Sequence, residues 1–388
     1  MTDLPGHVPS LPSPLRLAKL QAFVFRVPID EPVQTSFGIM HDRPAVLVRA
    51  EDSDGAVGWG EIWCNFPSVG AEHRARLLES AVAPIFLERA WDSPADAFRE
   101  ATRRLHILGI QCGEPGTVAQ AIAGADMALW DLVGRRQGQP LWRLFGGTDT
   151  IATYASGLSP TRPEKLAAAK RDEGFRAFKL KVGFGVERDL ANLRTLRELL
   201  GPDAPLMVDA NQAWSLEEAI EMSRRSAEFG LQWLEEPLAA DRPWSEWVRL
   251  AAESPLPLAA GENMRGANEF AAALASNAFA VVQPDLGKWG GFSGCLPVAR
   301  DVLAAGRMFC PHWLGGGIGL VASMHLKAAV GGAGYVEVDS NPNPLRELLA
   351  TPYPQVVDGM VTLPDAPGLG VAPDLEALRK FRVSHQWQ

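Results

Sequence analysis

The chain of 388 residues is poor in cysteine, short of positive charge and free of long apolar runs. Its four cysteines, Cys64, Cys112, Cys295 and Cys310, stand far apart and form no C-x-x-C pair. That argues against a disulfide framework or a thiolate zinc site, and makes reduced thiols in the cytoplasm the expectation. Cys310 reads as core filler, because nothing nearby marks it as an activated thiol. Lysine and arginine number 37 against 46 aspartates and glutamates, a net charge of -9. Nucleic-acid binding needs clustered cations that displace counterions, so no nucleic-acid partner is expected. No run approaches the roughly 18 apolar residues that span a bilayer, so no membrane partner is expected either. The opening MTDLPGHVPSLPSPLRL lacks the basic start and apolar centre of a secretory signal. Its prolines at 5, 9, 12 and 14 predict a disordered arm over 1–14.

Eight short apolar segments, each ending in a polar or charged residue, recur about every 25 residues. They end at Ser156, Lys179-Leu-Lys181, Asp209-Ala-Asn211, Glu235-Glu236, Glu262-Asn263, Asp285, His312 and Glu337. Such spacing predicts a (β/α)8 barrel, in which the C-terminal ends of the strands converge on one mouth. Upstream, Ala45–Ala50 and Ala56–Glu61 flank Asp52-Ser-Asp-Gly55 and predict a hairpin. The stretch 119–134 is apolar and rich in small residues, as a closely packed helix would be. Ser215 with Glu218 spells a capping box, and Gly230 a helix stop. The tail from 351 is rich in proline and glycine apart from a short helical segment near 373–381.

The polar ends state a chemistry. Lys179 and Lys181 share one face of a strand, so like charge and burial should both favour a neutral amine, a usable base. Asp209, Glu235 and Glu262 end successive strands 26 and 27 residues apart. Three converging carboxylates repel one another unless a cation intervenes, and all-oxygen ligands select Mg2+ or Mn2+ over zinc. Glu236 and Asn211 stand as alternative or neighbouring ligands. Asp285 and His312 suit a dyad in which the carboxylate orients the imidazole and raises its basicity. Glu337, if protonated, would donate to a substrate carboxylate. Lys288, Trp289 and Trp313 lie just past these ends and are candidates for the pocket wall.

With these motifs the sequence resembles the mandelate racemase subgroup of the enolase superfamily. The residues that carry the likeness are Lys179-Leu-Lys181, Val208-Asp209-Ala-Asn211, Leu234-Glu235-Glu236-Pro237, Gly261-Glu262-Asn263, Gln283-Pro284-Asp285, Pro311-His312 and Val336-Glu337. Gly58-Trp59-Gly60-Glu61 and Ala125-Asp126-Met-Ala-Leu-Trp130-Asp131 extend it upstream. The resemblance implies an α/β protein, a modified TIM barrel (β/α)7β under an α+β capping domain. Its expected parts are a capping domain over 15–145, a barrel over 146–350 and a segment over 351–388 that returns to the capping domain. It also implies one Mg2+ per active site, with Mn2+ as a substitute, and removal of the proton α to a carboxylate through an enediolate, as is general for that superfamily.

By position, Asp209, Glu235 and Glu262 would hold the metal. Lys181 would be the base on one face, with Lys179 neutralising the substrate carboxylate. His312 with Asp285 would serve the other face, Glu337 would stabilise the developing dianion, and Ser156 would add a hydroxyl. Asn211, Lys288 and Trp313 complete the expected substrate contacts. Polar groups in the Thr35–Arg43 segment suit a hydroxylated substrate, as does a further likeness to acid-sugar dehydratases and a lactone cycloisomerase. Dehydration of a sugar acid is the leading expectation. Racemisation, epimerisation or cycloisomerisation stands second, and a non-catalytic ligand-binding barrel is the remote alternative. A cytoplasmic homo-oligomer is expected.

Overall fold

The computed structural model describes Leu11 and residues 13–386, so most of the arm expected over 1–14 lies outside the described residues. Strands β1 (Leu17–Gln34), β2 (Ile39–Asp52) and β3 (Val57–Ile62) form an antiparallel sheet. The expected hairpin pairs Val46 with Ile62 through Glu51 with Val57. Asp52 closes its turn by accepting from the N–H groups of Asp54 and Ala56. The helix Pro115–Gln137 packs on this sheet, and the helix Pro94–Gln111 packs on that helix. Pro115–Gln137 lies directly on β3 because β3 presents glycines to it. A Cβ on Gly58 would fall 2.2 Å from the Ala128 oxygen, and one on Gly60 2.1 Å from the Gly124 oxygen.

Eight parallel strands follow: β4 (Thr150–Leu158), β5 (Phe178–Lys181), β6 (Leu206–Asp209), β7 (Leu234–Glu235), β8 (Leu258–Ala260), β9 (Val281–Val282), β10 (Met308–Phe309) and β11 (Val336–Asp339). They neighbour one another in chain order from β4 to β10, and β11 pairs in parallel with β4. A helix follows each of the first seven, the last two being Gly291–Ala304 and Gly317–Val330. This is the modified (β/α)7β barrel, with an α+β domain built from the N-terminal sheet and helices. The helix Leu216–Ser226 carries the expected capping box between Ser215 and Glu218, and Gly230 follows in the left-handed conformation.

The regular strand ladder stops earlier than the apolar runs suggest, though single backbone bonds such as that from the His312 N–H to the Pro284 oxygen continue past it. β8, β9 and β10 end at Ala260, Val282 and Phe309, so Glu262, Asp285 and His312 sit on the loops beyond them. Lower in the barrel, Tyr154, Ala177, Met207, Trp233, Ala259, Val281 and Cys310 form their own apolar cluster.

Among the described residues no ladder joins β10 to β11. Side chains bridge that seam instead. Lys327 Nζ shares its protons among the carbonyl oxygens of Phe309, Gly331, Gly332 and Ala333, at 2.8 to 3.1 Å. The Tyr335 N–H donates to Cys310 Sγ.

The tail divides its pairing between the two units. β12 (Val356–Val357) and β13 (Met360–Thr362) form a hairpin whose second strand runs antiparallel to the start of β4. β14 (Arg382–Val383) then joins the N-terminal sheet beside β1. Two- and three-residue strands carry too little alternation to be seen in sequence; pairing of β13 to β4, and of β12 to β13, is what makes them strands. No helix among the described residues is long and apolar enough to cross a membrane.

Candidate active site

Register across the barrel brings the first part of the site together. Lys181 lies opposite Asp209 on β6, and Asp209 opposite Glu235 on β7. The Lys181 ammonium donates to Asp209 Oδ2 at 2.6 Å. Lys179 is fully buried, its Nζ 2.5 Å from Glu235 Oε1, 2.9 Å from Glu337 Oε1 and 3.2 Å from the Tyr154 hydroxyl.

The expectation of a neutral lysine is overturned. Burial pulls the Lys179 ammonium down, but Glu235 and Glu337 outweigh it and hold it well above its ordinary value. Lys181 is likewise raised: burial opposes, Asp209 prevails, and the repulsion from Lys179 is the weaker influence. The like-charge argument counted only the two lysines and left out the acids that face them.

Each carboxylate is correspondingly occupied. Glu235 Oε2 accepts from Gln283 Nε2 at 2.6 Å and Trp233 Nε1 at 3.0 Å, and burial pushes its carboxyl up to about 7. Asn211, with φ of 44°, gives both its backbone N–H and its side-chain amide to Asp209. Glu262 meets Lys288 Nζ at 3.0 Å and His312 Nε2 at 2.5 Å. Against the upward push of burial, His312 and Lys288 hold it well below the usual carboxylate range.

Among the described residues no three His, Cys, Asp or Glu side chains are arranged around one ion. The protein's own cations lie on the oxygens that would have to close on it. The donor set nevertheless fits a hard divalent cation. Six carboxylates (Asp209, Glu235, Glu236, Glu262, Asp285 and Glu337) face three lysines and one imidazole. Glu236 registers the surplus of negative charge: burial, then Glu262, pushes its carboxyl well above the usual range.

On the other side of the mouth, Asp285 Oδ2 lies 2.6 Å from His312 Nδ1. Asp285 Oδ1 is fixed by the N–H groups of Gly287 and Lys288. Burial opposes protonation of His312, but Glu262, Glu337 and Asp285 together raise it well above its ordinary value. The condition under which Glu337 would donate, a protonated carboxyl, is not favoured either. Burial raises it, yet Lys179, His312 and Lys181 hold it below the ordinary range, and the Ser156 hydroxyl donates to it.

Trp313, expected at the pocket wall, is packing. Its indole lies against Gly287, Gly315 and Gly319, where a Cβ would collide with it, and its Nε1 donates to the Gly316 oxygen. Trp289 likewise packs between Phe98 and Phe270. Lys288 Nζ sits 4.8 Å above the Trp63 ring.

Sequence reasoning quoted Gln283 without assigning it. Its place directly after the apolar run of β9 and two residues before Asp285 was the available signal. It also missed three contacts from the N-terminal domain. Ser36 donates to the Asn211 oxygen, Asn65 to the Leu314 oxygen, and buried Arg43 pairs with Asp339 beyond Glu337. No local pattern announces contacts so distant in sequence.

Fold and site together define an enolase-type barrel enzyme, and comparison with known proteins gives the family. Residues 19–146 match the mandelate racemase / muconate lactonizing enzyme N-terminal domain, and residues 163–378 the enolase C-terminal domain-like family. The chain belongs to the mandelate racemase / muconate lactonizing enzyme family of the enolase superfamily. It is 32% identical to D-galactarolactone cycloisomerase of Agrobacterium fabrum, over 95% of this chain and 99% of that one. It is 29% identical to arabinonate dehydratase of Saccharolobus solfataricus, over 85% and 88%. Among solved structures, a mandelate racemase/muconate lactonizing enzyme from Bordetella bronchiseptica superimposes with a TM-score of 0.90 at 56% identity, covering 95% of this chain and 99% of that one. A racemase from Streptomyces coelicolor with bound magnesium superimposes at 0.85 and 30% identity, covering 95% and 100%.

Proposed function

We propose that the chain is a Mg2+-dependent hydro-lyase that removes the proton α to the carboxylate of a sugar-derived acid and expels the β-hydroxyl as water. The observation that carries this is the pairing of two distinct acid–base groups with one carboxylate cluster. Lys181 touches Asp209 at 2.6 Å, and His312 touches Glu262 at 2.5 Å. The dehydratase and cycloisomerase relatives support it.

Asp209, Glu235 and Glu262 would hold one Mg2+, or Mn2+ in its place, which when bound supplies positive charge for the substrate carboxylate. Lys179 adds a second positive charge for that carboxylate, and Glu337 with Ser156 holds Lys179 in place. Lys181 or His312 takes the α proton. The electron pair left on Cα forms a double bond to Cβ as the Cβ–O bond breaks. The departing oxygen takes a proton from the remaining acid, His312 when Lys181 is the base, and leaves as water. The resulting enol rearranges to a 2-keto-3-deoxy acid. Base action by Lys181 requires an unprotonated amine; burial and Lys179 both favour that form, and Asp209 is the principal group opposing it. Asn211 orients Asp209, and Lys288 orients Glu262.

Cycloisomerisation of a sugar lactone is the second reading, favoured by the near-complete coverage of the Agrobacterium relative. The same groups would act, with the lactone ring oxygen as the leaving atom and no loss of water. The reading includes a cytoplasmic homo-oligomer, supported by family likeness and four unpaired cysteines.

The test is a screen of mono- and di-acid sugars and their lactones with Mg2+ and with chelator, read by product mass and carbonyl trapping. Turnover should need the divalent ion. A mass lower by one water supports dehydration, and an unchanged mass supports the lactone reading. Folded enzyme with no Mg2+-dependent turnover of any acid or lactone would overturn both. Exchange of the α hydrogen in deuterated water resolves the two faces: Lys181→Met should lose one configuration and His312→Asn the other.

A further inference from the structure

The two barrel helices that follow Asp285 and His312 start on residues that cannot cap them with a side chain. Gly291–Ala304 follows Asp285 and begins after Gly290; Gly317–Val330 follows His312 and begins after Gly316. Neither glycine has a side chain to accept from the N–H groups of the first turn, and a buried helix start needs some acceptor. The N-terminal domain provides one to each.

Asp126, wholly buried in the helix Pro115–Gln137, reaches the first start. Its Oδ2 accepts from the Ser293 N–H at 3.0 Å and its Oδ1 from the Ser293 hydroxyl. A Cβ on Gly291 would lie 2.3 Å from the same carboxylate. Glu61, buried in β3, reaches the second. Its two oxygens accept from the N–H groups of Gly316 and Gly319.

The starts of these helices are also the ends of the loops that carry the Asp285–His312 pair. Asp285 is held by Gly287 and Lys288 in the turn before the first helix. Trp313, next to His312, donates to Gly316 and packs against Gly287 of the first loop, Gly315 of the second and Gly319 in the first turn of the second helix. A displaced helix start would therefore be transmitted through Trp313 and these turns to the pair.

We propose that Asp126 and Glu61 are positioning residues, two carboxylates of the N-terminal domain that set the Asp285–His312 geometry by capping the barrel helix after each member. This deepens the proposed function, on which its catalytic consequence rests; the structural part stands apart from it. It also gives a use to Gly58-Trp59-Gly60-Glu61. The two glycines bring β3 into backbone contact with the helix bearing Asp126, so both carboxylates issue from one rigid layer.

The test reads the pair directly. In protein labelled with 15N at its imidazoles, the Nδ1 proton held between His312 and Asp285 at 2.6 Å should resonate far downfield and vanish in His312→Asn. In Glu61→Ala and Asp126→Ala that resonance should shift or broaden. kcat should fall about 10-fold to 100-fold at nearly constant KM, as for other partners that orient catalytic groups. Exchange through the His312 face should fall while exchange through Lys181 persists. Glu61→Gln, which keeps an acceptor oxygen, should restore most of the signal and rate.

If an alanine variant does not fold, Glu61→Gln and Asp126→Asn carry the test, each expected to displace the resonance by a smaller amount. An unmoved resonance in folded variants would overturn the proposal, as would equal loss of both exchange activities. Should His312→Asn keep both exchanges, the proposed function fails, and the resonance still decides whether these carboxylates position the pair.

Discussion

The two ends of the barrel treat buried charge in opposite ways. At the mouth, cations and carboxylates neutralise one another side chain to side chain. Attraction there outweighs burial, and Lys179 and His312 are held well above their ordinary values. At the far end, beneath the apolar layer of Tyr154, Met207 and Trp233, Lys327 is buried with main-chain carbonyl oxygens as partners and no carboxylate paired to it among the described residues. Here burial prevails and pulls the ammonium down to about 8. The mouth collects charge that is costly to bury and is needed for chemistry. The far end uses one charge as a fastener where strand pairing is missing, in keeping with the division between catalytic and stabilising faces in such barrels.

The largest expected effect that would break this contrast is at the mouth. Lys181→Met should lower kcat by about 10²–10⁴, the range for loss of a positioned acid–base group. With Mg2+ present its melting temperature should hold, because a cation taken up by Asp209, Glu235 and Glu262 would supply the charge that Lys181 no longer brings. Kinetics and calorimetry on the same preparation check this; a variant that melts early and retains its rate would invert the assignment. Lys327→Met should do the reverse. Leaving the carbonyls of Phe309 and Gly331–Ala333 without their donor should cost roughly 1–3 kcal/mol, seen as a lower melting temperature, with kcat per folded molecule unchanged. Denaturant titration reads it. An undiminished stability would mean that the β10–β11 seam is held by something other than this lysine.

Much of the mouth was legible because barrel strands repeat and deliver their last residues to one place. Spacing alone located Lys181, Asp209, Glu235, Asp285 and His312 before any contact was known. What spacing could not give was the balance among them. One lysine reads as a neutral base because the sequence shows each its neighbour two residues away and not Asp209, Glu235 and Glu337 across the barrel. Trp313 reads as a pocket wall because the glycines that make room for it lie apart in the chain, Gly287 and Gly315 on two loops and Gly319 in the helix after the second. The short β12–β13 hairpin and the seam at Lys327 were invisible for the same reason: both are made by partners distant in the chain. Glu61 and Asp126 were visible as motif residues, but their purpose lies in the helices they cap.

Glu61 offers the finest test of the comparison, since it is a buried charge near the mouth that main-chain amides alone answer among the described residues. Burial raises its carboxyl from 4.5 to about 7, and the Gly319 and Gly316 amides recover only part of that. A carboxyl with a raised value in the folded state binds its proton more tightly there than in the unfolded chain. Its contribution to stability is therefore complete below pH 4.5 and is lost as the pH rises through 7. Glutamine at the same place does not titrate, so groups common to both proteins cancel when the two are compared. The stability of the wild type relative to Glu61→Gln should be greatest near pH 4.5 and decline toward pH 8. The decline is bounded at about 3 kcal/mol by the size of the shift. Urea titrations of both proteins across that range measure it. A difference that grew with pH would mean that the amides outweigh burial. Glu61 would then belong with the charge-balanced groups of the mouth rather than with Lys327.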